Sequence, residues 1–237
     1  MPSLARRLAA EGLGTGFLLM VVIGSGIMGD RLASGNVAIA LLANSLATGA
    51  ALIVLIQIFA PVSGAHFNPA VTVALAARGE AAWGDVVPYI LVQLAAAFAG
   101  VAAAHGMFGL PMFSAATTVR AGLALGWSEF IATFGLLSVI WGSRKQHRTM
   151  TPFAVGAYIA AAYWFTSSTS FANPAVTLAR SASDTFAGIR PGDAPAFVVA
   201  QLLGAFSATM VWVWLVPPKE PPYDRRQGSE LGPTRPD

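Results

Sequence analysis

Six long apolar segments alternate with short polar segments along the chain, and their lengths are typical of membrane-spanning helices. The apolar segments are residues 8–28, 37–60, 86–107, 123–142, 150–165 and 195–216. A spanning helix needs roughly 20 mostly apolar residues, and the fifth segment is the shortest of the six. Small residues at Gly12 and Gly16, and at Gly122 and Gly126, predict close contacts between helices. The pattern predicts an all-α membrane protein with six transmembrane helices.

Two further apolar stretches, residues 68–77 and 173–182, are about half as long as a span. Both begin with the sequence Asn-Pro-Ala-Val-Thr. Asparagine is a preferred N-cap, and proline is favoured in the first helical turn because its missing N–H has no intrahelical partner there. Each motif therefore predicts the start of a re-entrant half-helix. The residues that define the two starts are Asn68, Pro69, Ala70, Asn173, Pro174 and Ala175.

Three landmarks of the first half recur in the second half at offsets of 118, 105 and 108 residues. The recurring pairs are Glu11 with Glu129, Asn68 with Asn173, and Gln93 with Gln201. Similar offsets at separate places indicate a duplicated half rather than chance matches, with copies at about residues 9–107 and 123–216. Each copy holds three spans, and an odd number of spans inverts the second copy. The sequence predicts an inverted internal repeat.

The inverted repeat places the two half-helix starts near the membrane midplane, facing each other. Each helix N-terminus carries the equivalent of roughly half a positive charge, and lipid offers its unpaired N–H groups no partner. A cation or hydronium is repelled there, whereas a neutral hydroxylated solute accepts hydrogen bonds from the amides of Asn68 and Asn173. An Asn-Pro pair is also a common turn initiator. Two copies at corresponding places favour the pore interpretation.

Composition excludes several other classes of protein. Only 11% of the 237 residues are charged, against about 25% in ordinary soluble domains, so a soluble enzyme is not expected. The net charge of +3 is spread between apolar segments, which argues against a nucleic-acid partner. The chain has no cysteine and no nucleophile constellation within its spans. We expect no metal, no other cofactor and no enzymatic activity.

The basic residues indicate the orientation of the chain. If both termini are cytoplasmic, ten of the 14 Lys and Arg residues lie inside, and Arg31, Arg120, Arg180 and Arg190 lie outside. This predicts a multi-pass protein of the inner or plasma membrane with both termini in the cytoplasm. Residues 1–8 are then a short cytoplasmic N-terminus, residues 9–216 the membrane domain, and the Pro-rich residues 217–237 a disordered cytoplasmic tail.

The motifs resemble those of the aquaporin and aquaglyceroporin family. Residues 63–72, Ser-Gly-Ala-His-Phe-Asn-Pro-Ala-Val-Thr, resemble its cytoplasmic half-helix loop, and residues 10–15, Ala-Glu-Gly-Leu-Gly-Thr, resemble its first span. The resemblance covers about residues 9–216. It implies six transmembrane helices plus two re-entrant half-helices, one pore per subunit for water and neutral solutes, and a homotetramer in the lipid bilayer.

The sequence departs from the family at the outer constriction of the pore. In the family an arginine directly follows the second motif, but Val176 stands there in this chain. Arg180 follows one helical turn later, on a similar face, from where it can approach the outer vestibule. A solvated loop charge is the favoured interpretation of Arg180, because outer-loop arginines commonly face water. The resemblance places the other constriction residues at Thr48, Ala160 or Ala161, and Ser170.

These small side chains predict a wide pore that is less polar than one lined by aromatic, His and Arg side chains. The wording of the second motif, residues 171–180, resembles a bacterial branch associated with arsenic resistance. It implies passage of arsenite, methylated arsenicals, glycerol-like polyols and water. The alternative is an ion-coupled secondary transporter, a class that also uses inverted repeats. Coupling requires titratable groups along the path.

Glu11 and Glu129 are acidic residues within predicted spans, at equivalent places in the two copies. An intramembrane carboxylate suggests a functional group, such as a proton relay. The family resemblance instead implies that the two glutamates brace the half-helix loops, and we favour that role. His66 precedes Asn68 by two residues and either lines the inner mouth of the pore or forms hydrogen bonds within its loop.

Overall fold

The computed structural model describes residues 2–146 and 148–216, and every regular element in that part of the chain is a helix. The α-helices are α1 (Leu4–Leu32), α2 (Val37–Ser63), α3 (Pro69–Ala77), α4 (Trp83–Met107), α5 (Leu123–Gln146), α6 (Thr151–Phe165), α7 (Pro174–Arg180) and α8 (Ala194–Leu215). Two 3₁₀ turns, Arg148–Met150 and Pro191–Asp193, precede α6 and α8. The proposed tail, residues 217–237, lies outside the described residues.

Each predicted span becomes one helix. Five of these helices are long and apolar enough to cross a bilayer. The sixth, α6, has 15 residues, in keeping with its short apolar segment. Helix α1 extends four residues beyond the predicted segment at each end. An apolar window marks only the part of a helix inside the hydrocarbon, and the backbone hydrogen bonds continue past it.

The half-helices α3 and α7 begin at the prolines, as the motifs predict. The Asn68 side chain accepts a hydrogen bond from the backbone N–H of Ala70 at 2.9 Å. The Asn173 side chain accepts from Ala175 at 3.0 Å and from Val176 at 3.3 Å. These bonds satisfy N–H groups of the first turn that have no partner within the helix.

Helix packing repeats between the two halves. Helix α1 packs on α4 and α2, and α5 packs on α8 and α6 in the same way. The halves meet where α2 crosses α6 and where α3 and α7 contact each other. This arrangement confirms the predicted inverted repeat and brings the ends of both half-helices into the centre of the bundle.

Close approach of the paired helices depends on glycine. A Cβ on Gly100 of α4 would lie 2.4 Å from the backbone oxygen of Gly16 on α1, and a Cβ on Gly204 would lie 2.4 Å from the oxygen of Phe130. The predicted contact at Gly122 and Gly126 is wrong, because a Cβ there would meet nothing within 4 Å. Gly122 directly precedes α5 and is exposed, and Gly126 lies in the first turn of the helix and is half-buried.

We expect Gly100→Ala to destabilise the protein by about 1–3 kcal/mol, because the methyl group meets backbone atoms that cannot rotate away. Gly106→Ala on the same helix is the matched control, since its Cβ enters open space and alanine favours helix by about 1 kcal/mol. Thermal unfolding in detergent compares the two variants. Equal midpoints would contradict this account of the contact between α1 and α4.

Candidate pore

The two half-helix starts are joined crosswise at the centre of the bundle. The Nδ2 of Asn68 donates to the backbone oxygen of Ala172, and the Nδ2 of Asn173 donates to the oxygen of Phe67, both at 2.7 Å. Each bond links one half of the chain to the other and fixes the two N-termini face to face. A primary amide has two N–H donors, so one donor on each asparagine remains for a solute.

An internal cavity passes both asparagines. Its volume is about 230 Å³, and since water occupies about 30 Å³ per molecule in the liquid, several waters or one small solute fit. Helices α1, α2, α5 and α6 contribute an apolar wall, and the two half-helices and their loops contribute most of the polar groups. Within residues 2–146 and 148–216, no cluster of His, Cys, Asp and Glu is placed to hold a metal ion.

Two buried glutamates hold the loops that precede the half-helices. Glu11 accepts hydrogen bonds from the backbone N–H of His66 at 2.9 Å and of Phe67 at 2.7 Å. Glu129 accepts from the N–H of Phe171 and of Ala172, both at 2.9 Å. Neither carboxylate lines the cavity. This geometry favours bracing over a proton relay along the pore.

Bracing is needed because both loops contain backbone conformations that are unfavourable for residues with a side chain. Ala65 and Phe67 have φ near +50°, and so do Ser170 and Ala172, their equivalents 105 residues later. Such conformations cost of order 1–3 kcal/mol each and persist only where the surroundings impose them. The N–H bonds to the two glutamates fall on the same short segments and hold this backbone in place.

Sequence reasoning assigned no role to four polar residues that complete the two braces. Gln93 donates to Glu11 at 2.8 Å and to Thr72 at 3.0 Å. In the second half Gln201 donates to Glu129 at 2.6 Å and to the equivalent threonine, Thr177, at 2.8 Å. The sequence signal that could have indicated this role is their recurrence. The glutamines and the threonines of the motifs repeat in the two copies together with the other landmarks.

At the cytoplasmic end, as oriented by the basic residues, His66 both lines the cavity and forms a hydrogen bond. Its Nδ1 lies 3.1 Å from the Thr72 hydroxyl, and its ring lies 5.0 Å from that of Tyr89. The two interpretations of His66 are therefore compatible. Arg144 also lines this end of the cavity, with its Nη1 3.3 Å from a carboxylate oxygen of Glu80.

At the opposite end, the wall contributed by α6 differs from the expectation. Ile159 and Tyr163 line the cavity, whereas Ala160 and Ala161 do not. The residues of α6 that face the cavity recur about every four positions, and Ala160 lies on the neighbouring face, against Gly49 of α2. The prediction that Ala160 or Ala161 lines this part of the pore is wrong, since Ile159 and Tyr163 face the cavity instead.

The other predicted constriction residues, Thr48, Ser170 and Val176, all line the cavity and are buried. The Tyr163 hydroxyl donates to the Thr48 hydroxyl at 3.4 Å. Thr48, Ser170 and Tyr163 bring hydroxyl groups to this end of the cavity, beside the apolar side chain of Val176.

Arg180 is not a solvated loop charge. It is 2% exposed and lines the cavity. Its guanidinium carbon lies 3.3 Å from the centre of the Phe171 ring, and its Nε donates to the backbone oxygen of Ala187. The favoured solvated interpretation is wrong, because the chain after α7 folds back over the side chain. Arg180 instead occupies the end of the cavity that sequence reasoning assigned to the outer vestibule.

The segment that covers Arg180 is tied to the loop between α4 and α5. Ser114 donates to the oxygen of Ala182 at 3.0 Å, and Arg190 donates to that of Thr118 at 2.8 Å. The carboxylate of Asp184 accepts from the backbone and the hydroxyl of Thr117, both at 2.9 Å. These hydrogen bonds stabilise the ionised form and lower the pKa of Asp184. These bonds thus hold in place the segment that covers Arg180.

Known proteins resemble this chain in sequence and in fold. The major intrinsic protein family matches residues 1–170. The aquaglyceroporin AqpS of Rhizobium meliloti is 53% identical over 92% of this chain and 93% of its own length. The aquaporin AqpM of Methanothermobacter thermautotrophicus is 32% identical over 91% of this chain and 99% of its own. The X-ray structure of the aquaglyceroporin from Plasmodium falciparum superposes with a TM-score of 0.74 at 21% identity, covering 91% of this chain and 98% of that one.

The inverted helical bundle and its internal cavity define a multi-pass membrane protein with a solute pathway between two half-helices. With the family match and these relatives, the chain belongs to the major intrinsic protein family. The likeness in fold covers 91% of the chain and therefore extends beyond the part that the family model matches, which ends at residue 170.

Proposed function

We propose that the protein is a passive channel for water and small neutral hydroxylated solutes. The observation that carries the proposal is a cavity that passes Asn68 and Asn173, each with one amide N–H fixed on the opposite loop and one left over. The opposed helix N-termini repel cations at the same place. A neutral solute loses part of its hydration there and recovers hydrogen bonds from the two amides.

The proposed solutes are glycerol-like polyols, arsenite and methylated arsenicals, as well as water. Val176 in place of a filter arginine supports a wide passage, because a valine leaves more room than a guanidinium. Leu52, Ile159 and Val176 supply apolar wall for methyl groups, while the few hydroxyl groups and the amides serve the oxygen atoms. The relative named an aquaglyceroporin, at 53% identity, supports the polyol part of this proposal.

The contacts of the two glutamates argue against a proton-coupled transporter. Glu11 accepts four hydrogen bonds from its neighbours, and Glu129 accepts three. Coupling would require these carboxylates to exchange protons with the path, yet neither of them lines the cavity. The geometry therefore favours passive flux of solute along its gradient over accumulation of solute against it.

We further propose a homotetramer in the inner or plasma membrane, with both termini in the cytoplasm. Large apolar side chains are exposed on the outer faces of several helices, among them Leu46, Val87, Leu91, Leu203 and Phe206. Such faces require lipid or neighbouring subunits as partners. The excess of basic residues on the proposed inner side supports the orientation.

Flux through proteoliposomes tests the proposed function. Stopped-flow light scattering measures water and glycerol permeability, and direct uptake measures arsenite and a methylated arsenical, with protein-free liposomes as the control. We expect each solute to equilibrate down its gradient in either direction, with no accumulation when a proton gradient is imposed. Accumulation against the gradient would favour the coupled transporter, and permeabilities equal to those of the control would reject the channel.

A further inference from the structure

We propose that Arg180 and Ser170 form an oxygen-binding site at the outer end of the pore, as oriented above. The family resemblance places an arginine at position 176, and here a guanidinium reaches the cavity from one helical turn later. The inference rests on the proposed channel function and specifies how the channel selects its solutes. The solute class is neutral molecules that carry at least two hydroxyl groups.

Both side chains present polar atoms that lack partners. Within residues 2–146 and 148–216, the Nη1 of Arg180 and the Oγ of Ser170 are buried and make no hydrogen bond. Both residues are at most 2% exposed and both line the cavity. Buried polar groups in native proteins almost always have a partner. A solute oxygen in the cavity is the natural partner for a guanidinium donor and a hydroxyl group that line the same cavity.

Two contacts fix the orientation of the Arg180 guanidinium. Its Nε is bonded to the Ala187 oxygen, and its plane is anchored on Phe171, the residue after Ser170. Arg120, whose guanidinium carbon lies 5.1 Å from the centre of the same ring, differs from Arg180. Its Nε donates to Gly188 at 2.8 Å and its Nη1 to Ser168 at 3.3 Å, and it does not line the cavity. Arg120 therefore secures the loop, and Arg180 is the arginine directed to the solute.

Comparison of the two halves shows that this end of the pore is specialised. Val176 corresponds to Val71 at the offset of 105, so the residue that directly follows the motif is a valine in both halves. Arg180 corresponds to Leu75, and Ser170 corresponds to an alanine, Ala65. All three positions of the second half lie on the cavity. Positions 170 and 180 therefore add polar groups at this end of the cavity, whereas the other end has polar groups of its own, among them His66, which corresponds to Phe171.

The symmetry also provides substitutions that the fold accommodates. Arg180→Leu and Ser170→Ala each introduce the residue that occupies the equivalent backbone position in the first half. Ala65 already adopts the φ of Ser170, at +51° against +50°. Arg180→Gln restores N–H donors without the charge. Arg31→Leu removes an exposed outer arginine that does not line the cavity, and serves as the matched control.

The measured quantity is the ratio of glycerol to water permeability in proteoliposomes, since water flux corrects for the number of open pores. Loss of one charge-assisted hydrogen bond predicts that Arg180→Leu lowers the ratio about tenfold. We expect a fall of about threefold in Ser170→Ala, an intermediate value in Arg180→Gln, and the wild-type ratio in Arg31→Leu.

An unchanged or higher ratio in Arg180→Leu would overturn the proposal, since the arginine would then act only as an obstruction. If Arg180→Leu does not assemble, as judged by size-exclusion chromatography, Ser170→Ala decides, and an unchanged ratio in that variant also overturns the proposal. The proposed function fails separately. A wild-type protein that conducts neither water nor glycerol would reject the channel itself, whereas a conducting wild type with insensitive variants would reject only the site.

Discussion

Glu129→Gln is expected to abolish most water and glycerol flux and to lower the thermal midpoint. The carboxylate accepts from two backbone N–H groups, those of Phe171 and Ala172, and from Gln201. A glutamine offers one oxygen and one NH₂ group, so at least one of these donors is left facing another donor. Each unsatisfied buried donor costs about 1–3 kcal/mol. The loop then loses the bonds that hold its positive-φ residues.

The same substitution distinguishes a brace from a proton relay. A relay glutamate replaced by glutamine would leave a stable protein that still conducts passively but no longer responds to a proton gradient. A brace predicts loss of stability together with loss of flux, at any proton gradient. Asp30→Asn, at an exposed acidic residue of α1, is the control for removing a carboxylate. An unaltered midpoint in Glu129→Gln would contradict the bracing role.

The helices were predictable because local physics sets them. An asparagine cap followed by proline favours the start of a helix, and α3 and α7 begin at Pro69 and Pro174. The long spans follow from apolar length alone. The crosswise bonds of Asn68 and Asn173 were not predictable in this way, since each joins residues more than 100 positions apart. Only the inverted repeat indicated that the two starts would meet.

The α6 residue of the pore wall could not be found by counting from a motif. Counting from Asn173 crosses the loop after Phe165, whose conformation no local pattern determines, and an error of two or three residues moves the choice to another face of the helix. Ala160 or Ala161 was therefore predicted where Ile159 and Tyr163 line the cavity. A helical wheel of α6 would not have indicated the correct face either, because this helix is apolar on all sides.

Arg180 was misjudged for a different physical reason. The prediction used the average exposure of arginines in outer loops, which takes no account of the fold around a particular residue. The Arg180 side chain is buried by the segment that follows it, and long-range contacts hold that segment in place. That segment pairs with residues 114–118, some 70 positions away in sequence. A sequence signal was nevertheless present, because Arg180 replaces a leucine, Leu75, of the first copy within otherwise matching motifs.

Val176→Arg is expected to lower the flux of a methylated arsenical relative to water by about tenfold or more. Val176 is 5% exposed and lines the cavity, so a guanidinium there adds bulk, charge and five donors where the wall is apolar. Arg180 lies one turn further along α7, and two like charges at that spacing repel each other. Water is small and exchanges hydrogen bonds readily, so its flux falls less than that of a solute whose methyl groups must fit through the constriction.

Two companion variants separate the causes of this effect. Val176→Met adds length without charge, and a loss confined to Val176→Arg would assign the effect to polarity rather than to bulk. The double variant Val176→Arg with Arg180→Leu moves the arginine to the place that it occupies in the family. Repulsion between the two arginines is expected to lower the thermal midpoint of Val176→Arg, and the double variant is expected to recover that midpoint. The pore of the double variant is expected to stay narrow. Parallel uptake and osmotic swelling on the same proteoliposomes provide the ratios. An unchanged ratio in Val176→Arg would mean that position 176 does not form the constriction, and the wide-pore proposal would lose its main support.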